Sequence, residues 1–153
     1  MEMTNQYVVF LLDGQRYALS LPTVRRVVRA VEITPLPDAP AIVHGAINVE
    51  GEIIPVFNLR RRFLLPEREI NINDQFLIAS TNHRRVALVI DAAQDVIEYK
   101  LSEVIALDTV IPGLEQVHGL VKFDDGLVLI HDLESFLSPS EVRTLEKAME
   151  ILQ

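Results

Sequence analysis

The sequence predicts a mainly β fold: two small five-stranded β-barrels from an internal duplication, with short helices and a C-terminal helix. Three observations carry this prediction. Short apolar runs flank Asp13-Gly14 and Glu50-Gly51, which are signatures of tight β-hairpins. The same order of runs and turns occurs twice along the chain, the mark of a duplication. Only the stretch from Ser138 onward has the spacing of a sustained amphipathic helix.

In chain order, Tyr7–Leu12 and Gln15–Leu21 form the first hairpin, and Pro22 opens a short turn with Thr23 and Val24. Val27-Val28 resume a strand, and Ala30–Pro40, with Pro35, Pro37 and Pro40, is a loop that cannot be helical. Val43–Leu64 then supplies the second hairpin about Glu50-Gly51. Pro55 lies in its second strand, which predicts an edge position or a bulge, because proline donates nothing to a ladder. After Asn58 the pattern becomes one short helical turn leaving the sheet.

The second half repeats this plan. Tyr7 falls on Phe76, Leu19 on Leu88, Leu21 on Ile90, Arg26 on Asp95 and Val27 on Val96 without gaps. A second ungapped stretch lays Val117–Leu137 over Val43–Phe63, so that His44 meets His118, Gly45 meets Gly119, Asn58 meets Asp132 and Leu59 meets Leu133. The expected lobes span about 7–65 and 75–137, with a groove at their junction. Pro66–Asp74 is the crossing loop, Leu101–Gly113 its counterpart with Glu103, Asp108 and Pro112, and Asp124-Asp125-Gly126 the matching hairpin turn. In the final 138–153 segment, Ser138, Pro139 and Glu141 read as a capped helix start, with Val142, Leu145, Met149 and Leu152 on one face.

Composition narrows the function. With 153 residues and 49% hydrophobic content the chain can build one sizeable core, although half of it would be marginal alone. A net charge of −8 argues against a nucleic-acid footprint. There is no apolar run of spanning length, no cationic leader at Met1–Gln6 and no cysteine, so a cytoplasmic protein without membrane insertion, disulfides or thiolate metal sites is expected.

No catalytic site, metal site or cofactor is expected. His44 and His118 are repeat equivalents and sit in separate lobes; neither they nor His83 and His131 form a ligand pair at helical spacing. His131, Asp132 and Glu134 resemble an acid–base set, which is the only opening for an enzyme, but the other copy carries Asn58 and Arg60 at the last two positions. Arg25-Arg26, Arg60-Arg61-Arg62 and Arg84-Arg85 read as a solvated face or a contact for an acidic protein rather than a single-stranded nucleic-acid track.

These residues together resemble the CheW family of chemosensory adaptors. VVFLLDGQRYAL resembles the family's opening strand, Val24–Val27 its turn and strand, and Leu36-Pro37 its proline loop. GAINVEGEIIPVFNL resembles its most specific motif, and Asp132-Leu133-Glu134 with Leu137 its closing one. The resemblance implies a single CheW-like domain over 1–153, two five-stranded barrels and no enzymatic activity. It implies coupling of methyl-accepting chemoreceptor tips to a CheA-like histidine kinase, with Val24, Arg26, Asn48, Val49, Glu50 and Gly51 as partner-binding residues. An auxiliary relative that engages only receptor or only kinase is the alternative. Three residues depart from the family pattern: Asn58 replaces an aspartate, Glu50 an arginine and Arg26 an acid. The paired inversion at the last two predicts either that these side chains meet, or that the partners' charges have changed.

Overall fold

The computed structural model describes residues 3–106, 117–123 and 126–152. The first half comprises β1 (Thr4–Leu12), β2 (Gln15–Ser20), a 3-10 turn at Leu21–Thr23, β3 (Val24–Arg29), β4 (Val43–Val49), β5 (Glu52–Phe57) and α1 (Leu59–Arg62). The second comprises β6 (Gln75–Ser80), β7 (Arg85–Ile90), β8 (Ala92–Lys100), a 3-10 turn at Leu101–Glu103 and β9 (Ile105–Ala106). It continues with β10 (Val117–Phe123), β11 (Gly126–His131), a 3-10 turn at Leu133–Ser135 and α2 (Pro139–Glu150). Asp108, Pro112, Asp124 and Asp125 lie outside the described residues.

Two sheets result, in the orders β8-β1-β2-β11-β10-β9 and β3-β6-β7-β5-β4. Among the described residues neither ladder closes, so the expected barrels are open sheets. The sixth strand has only two residues, and its place in the other sheet is taken by the single bridge from Thr34 to Ala46. The lobes also differ from the sequence halves: β1 and β2 join strands of the second half, while β6 and β7 join strands of the first. This exchange lets each half complete the other's sheet, and it covers edges that a half alone would expose.

Registers repeat as the duplication requires. Tyr7 pairs with Ser20 as Phe76 pairs with Val89, and a bulge follows Val43 in β4 as one follows Val117 in β10. β5 is an interior strand, contrary to the expectation from Pro55. Opposite it, Ala46 gives its N–H and C=O to Thr34, and the parallel ladder with β7 begins only at Val56. Pro55 therefore removes no ladder bond, and the bulge lies in β4.

β1, β2, β6 and β7 are buried on both faces. Tyr7, Val9 and Ala18 fill the first lobe, and Phe76, Ile78 and Ala87 fill the second. Val8, Phe10, Leu12, Tyr17 and Leu19 meet Leu77, Ala79, Val86, Leu88 and Ile90 in a shared central core. Such strands read as continuous apolar runs rather than alternation. α2 docks Leu145, Ala148 and Met149 into this core, under the Ser138 cap and capping box that its sequence predicts. Leu152 lies beyond the helix and is exposed.

Candidate partner-binding site

The turn between β4 and β5 projects from the second lobe. Glu50 and Gly51 have φ of 52° and 89°, the two positive values of a type I′ turn. Asn48 locks it, its side-chain oxygen accepting from the Gly51 N–H at 2.8 Å. Asn48, Glu50 and Gly51 are exposed and Val49 is half-buried. Val24 lies half-buried at the start of β3 and packs on the central core, and Arg26 stands exposed after the bulge.

Arg26 and Glu50 meet: Nη1 donates to Oε1 at 3.1 Å. β3 and β4 are opposite edges of the open sheet, so this ion pair spans the gap that a hydrogen-bonded ladder would close in a barrel. The side chains keep 44% and 78% of their exposure, so the pair contributes little to stability and both charges remain accessible.

Asn58 and Asp132 cap the turns that follow β5 and β11, accepting from the N–H groups of Arg61 and Glu134. Asn58 also donates to Glu67 Oε1 at 2.8 Å, a bond that an aspartate could not make. In each half the second residue of this exit turn clasps the hairpin of the other lobe. Arg60 binds Asp13 at 3.2 Å, and its counterpart Glu134 accepts from the Asn82 N–H at 2.9 Å.

The first clasp belongs to a network across the seam. Arg60 forms a two-oxygen pair with Asp91 at 2.9 and 3.0 Å, and Arg68 binds Asp74 twice at 2.8 Å and Asp91 once at 2.8 Å. Asp74 is buried, and hydrogen bonds from Arg68 hold its carboxyl below the usual range despite the opposing effect of burial. Sequence reasoning missed this network, although the equivalence of Arg60 with Glu134 and of Asp13 with Asn82 was available in the repeat.

Each arginine of the basic clusters has a partner within the chain, although among the described residues Arg62 Nε is buried without an acceptor. Arg61 pairs with Glu67, Arg62 with Glu141, Arg84 with Glu146 and Arg85 with Glu52, while Arg25 donates to Ser80. Several of these pairs stay solvent-exposed, with Arg61 keeping 47% and Arg85 54% of side-chain exposure, so they form a solvated charged face in which each cation already has a partner. His44 is half-buried and pushed below the ordinary histidine range, by burial first and then by Arg61.

His131 is buried against aromatic rings, 4.4 Å from Phe63 and 5.0 Å from Tyr17 between centroids. Asp132 caps a turn and Glu134 holds a backbone N–H, so neither is poised as an acid–base pair with it. All three line a cleft at the seam, which also carries Tyr7, Leu19 and Thr23. Among the described residues no group of three acidic or histidine side chains could hold a metal ion, and no helix is long and apolar enough to cross a membrane.

Comparison with known proteins follows the same outline. The CheW-like domain family matches residues 6–141. A chemotaxis protein CheW of Treponema pallidum is 30% identical over 146 residues, covering 92% of this chain and 86% of that protein. One of Bacillus subtilis is 31% identical over 135 residues, covering 85% of each. The crystal structure of the scaffolding protein TtCheW from Thermoanaerobacter tengcongensis superposes with a TM-score of 0.81 at 29% identity, covering 91% of this chain and 96% of that one.

Proposed function

The chain belongs to the CheW-like domain family, and from that premise we propose that it is a non-catalytic adaptor of a bacterial chemosensory pathway. The observation that carries this is likeness along nearly the whole chain to chemotaxis proteins CheW and to a scaffolding protein of that kind. The residues that could have suggested an enzyme have structural duties instead, which supports a role without catalysis.

In this reading the chain couples methyl-accepting chemoreceptor tips to the regulatory domain of a CheA-like histidine kinase. Val24, Arg26 and Asn48–Gly51 form the contact surface, and no cofactor is needed. Exposure of the β4–β5 turn and of both members of the Arg26–Glu50 pair supports this assignment. The paired charges also supply a physical reason for the double inversion, since each change keeps the other's partner.

Co-sedimentation with receptor-containing membranes and a CheA-type kinase tests the proposal. Wild-type protein is expected to sediment only with the receptor-containing membranes, directly or through the kinase. No association at about tens of micromolar, weak for a specific contact, overturns it. Pairwise titrations identify which of the two it binds.

A further inference from the structure

The duplication makes each lobe a control for the other at one place. At the seam, the end of the first lobe opens a cleft of about 240 Å³, too small for a drug-sized ligand but ample for one side-chain head. Asn5, Ser20 and Thr23 line one wall, and Asp132, Leu133 and Glu134 the other. The repeat equivalents in the second lobe are Asp74, Val89, Ala92, Asn58, Leu59 and Arg60. That second position is filled by the chain's own crossing loop. The Arg68 guanidinium binds Asp74 and Asp91, which are the equivalents of Asn5 and Pro22, at 2.8 Å. Glu67 sits on Asn58, the equivalent of Asp132.

Among the described residues the first lobe has no such plug. After Leu137 the chain turns into α2, and among the described residues no arginine or lysine lines the cleft. Asp132 uses Oδ1 on the Glu134 N–H and Glu134 uses Oε2 on the Asn82 N–H. Among the described residues, their other carboxylate oxygens have no donor. Two half-used carboxylates beside the apolar walls of Tyr7, Leu19 and Leu133 suit a cation carried on an apolar stem. Charge complementarity thus selects the same kind of group that fills the counterpart.

We propose that this cleft is a docking pocket for an arginine or lysine side chain presented by a partner protein, held by Asp132 and Glu134 on the wall opposite to the one that holds Arg68 in the second lobe. That the donor is a protein rests on the adaptor reading; the cationic chemistry rests on the cleft alone. The test is an amide-resolved NMR titration of the full chain with acetyl-Pro-Gln-Arg-Gln-Ile amide, patterned on Pro66–Ile70 with both glutamates neutralised, against the same peptide with citrulline for arginine.

The arginine peptide is expected to move the amides of Ser20, Thr23, Asp132 and Glu134 saturably at roughly millimolar concentration. Citrulline is expected to bind up to about fivefold more weakly. The preference should vanish in Asp132→Asn/Glu134→Gln, whose amides keep the acceptors for both backbone N–H groups. No saturable shift, equal binding of the two peptides, or an unchanged preference in the variant overturns the proposal. The peptide comparison on wild-type protein decides even if the variant unfolds. Neither receptor nor kinase is in the tube, so this result and the sedimentation result can fail separately.

Discussion

Arg26 and Glu50 form an exposed ion pair at 3.1 Å, so each single reversal places like charges together and the double reversal restores attraction. A double-mutant cycle of Glu50→Arg with Arg26→Glu is expected to give a coupling of about 0.2–1 kcal/mol in chemical denaturation. Strictly additive effects would show that the pair does not form in solution. Gly45 is a stiffer constraint. Its φ is 151°, and a Cβ there would lie 2.2 Å from the Thr34 carbonyl oxygen. Gly45→Ala must break the Thr34–Ala46 bridge or move the loop, and a loss of about 2 kcal/mol or more is expected on denaturation. Its repeat equivalent Gly119 is less constrained, since a Cβ there would meet the Val104 side chain at 3.0 Å and, among the described residues, no backbone atom closer than 3.7 Å.

α2 is held by three kinds of interaction, which separate by mutation. Leu145→Ala empties a buried site and should cost about 2–5 kcal/mol. Ser138→Ala removes the cap and should cost about 0.5–2 kcal/mol. A helix that was merely a partner contact would show neither loss in the isolated protein. Its ion pairs, Arg62–Glu141 at 2.7 Å and Arg84–Glu146 at 2.6 Å, tie it to α1 and to the start of β7's hairpin. The start of α2 was legible because Ser138-Pro139-Ser140-Glu141 is local chemistry. Its buried face was legible only in part: Ala148 is buried while Leu152 is exposed, since the helix stops at Glu150.

Across the whole molecule, acid should act in two stages. Burial, then Arg61, lowers His44; hydrogen bonds from Arg68 and Arg84 lower Asp74 and Glu146. Burial pushes Glu141 up, but the Ser138 N–H and Arg62 outweigh it and its carboxyl also lies low. Each folded pKa is below its unfolded value, so the unfolded chain binds more protons and stability rises with pH. The contribution of each group is fully present above its unfolded pKa and is lost as pH falls through its folded one. Thermal melts should be flat between about pH 7 and 9, begin to fall through the histidine range and fall further below about pH 4.5. Melting temperatures that do not change over that span would contradict the assignment, and Asp74→Asn should remove part of the acid slope.

By itself the sequence determined the strands, the hairpin turns, the duplication, the helix cap and the family pattern, because these depend on residues close together in the chain or on repeated spacing. Tertiary structure alone decided which strands share a sheet. The exchange of β1-β2 with β6-β7 leaves no local mark, since both partners of each exchanged pair have the same apolar pattern. It also decided the place of Pro55, whose missing donor is harmless only because Ala46 faces Thr34. At the candidate site the sequence named Arg26 and Glu50, residues 24 positions apart, but only the fold could bring the two edges of one open sheet within 3.1 Å.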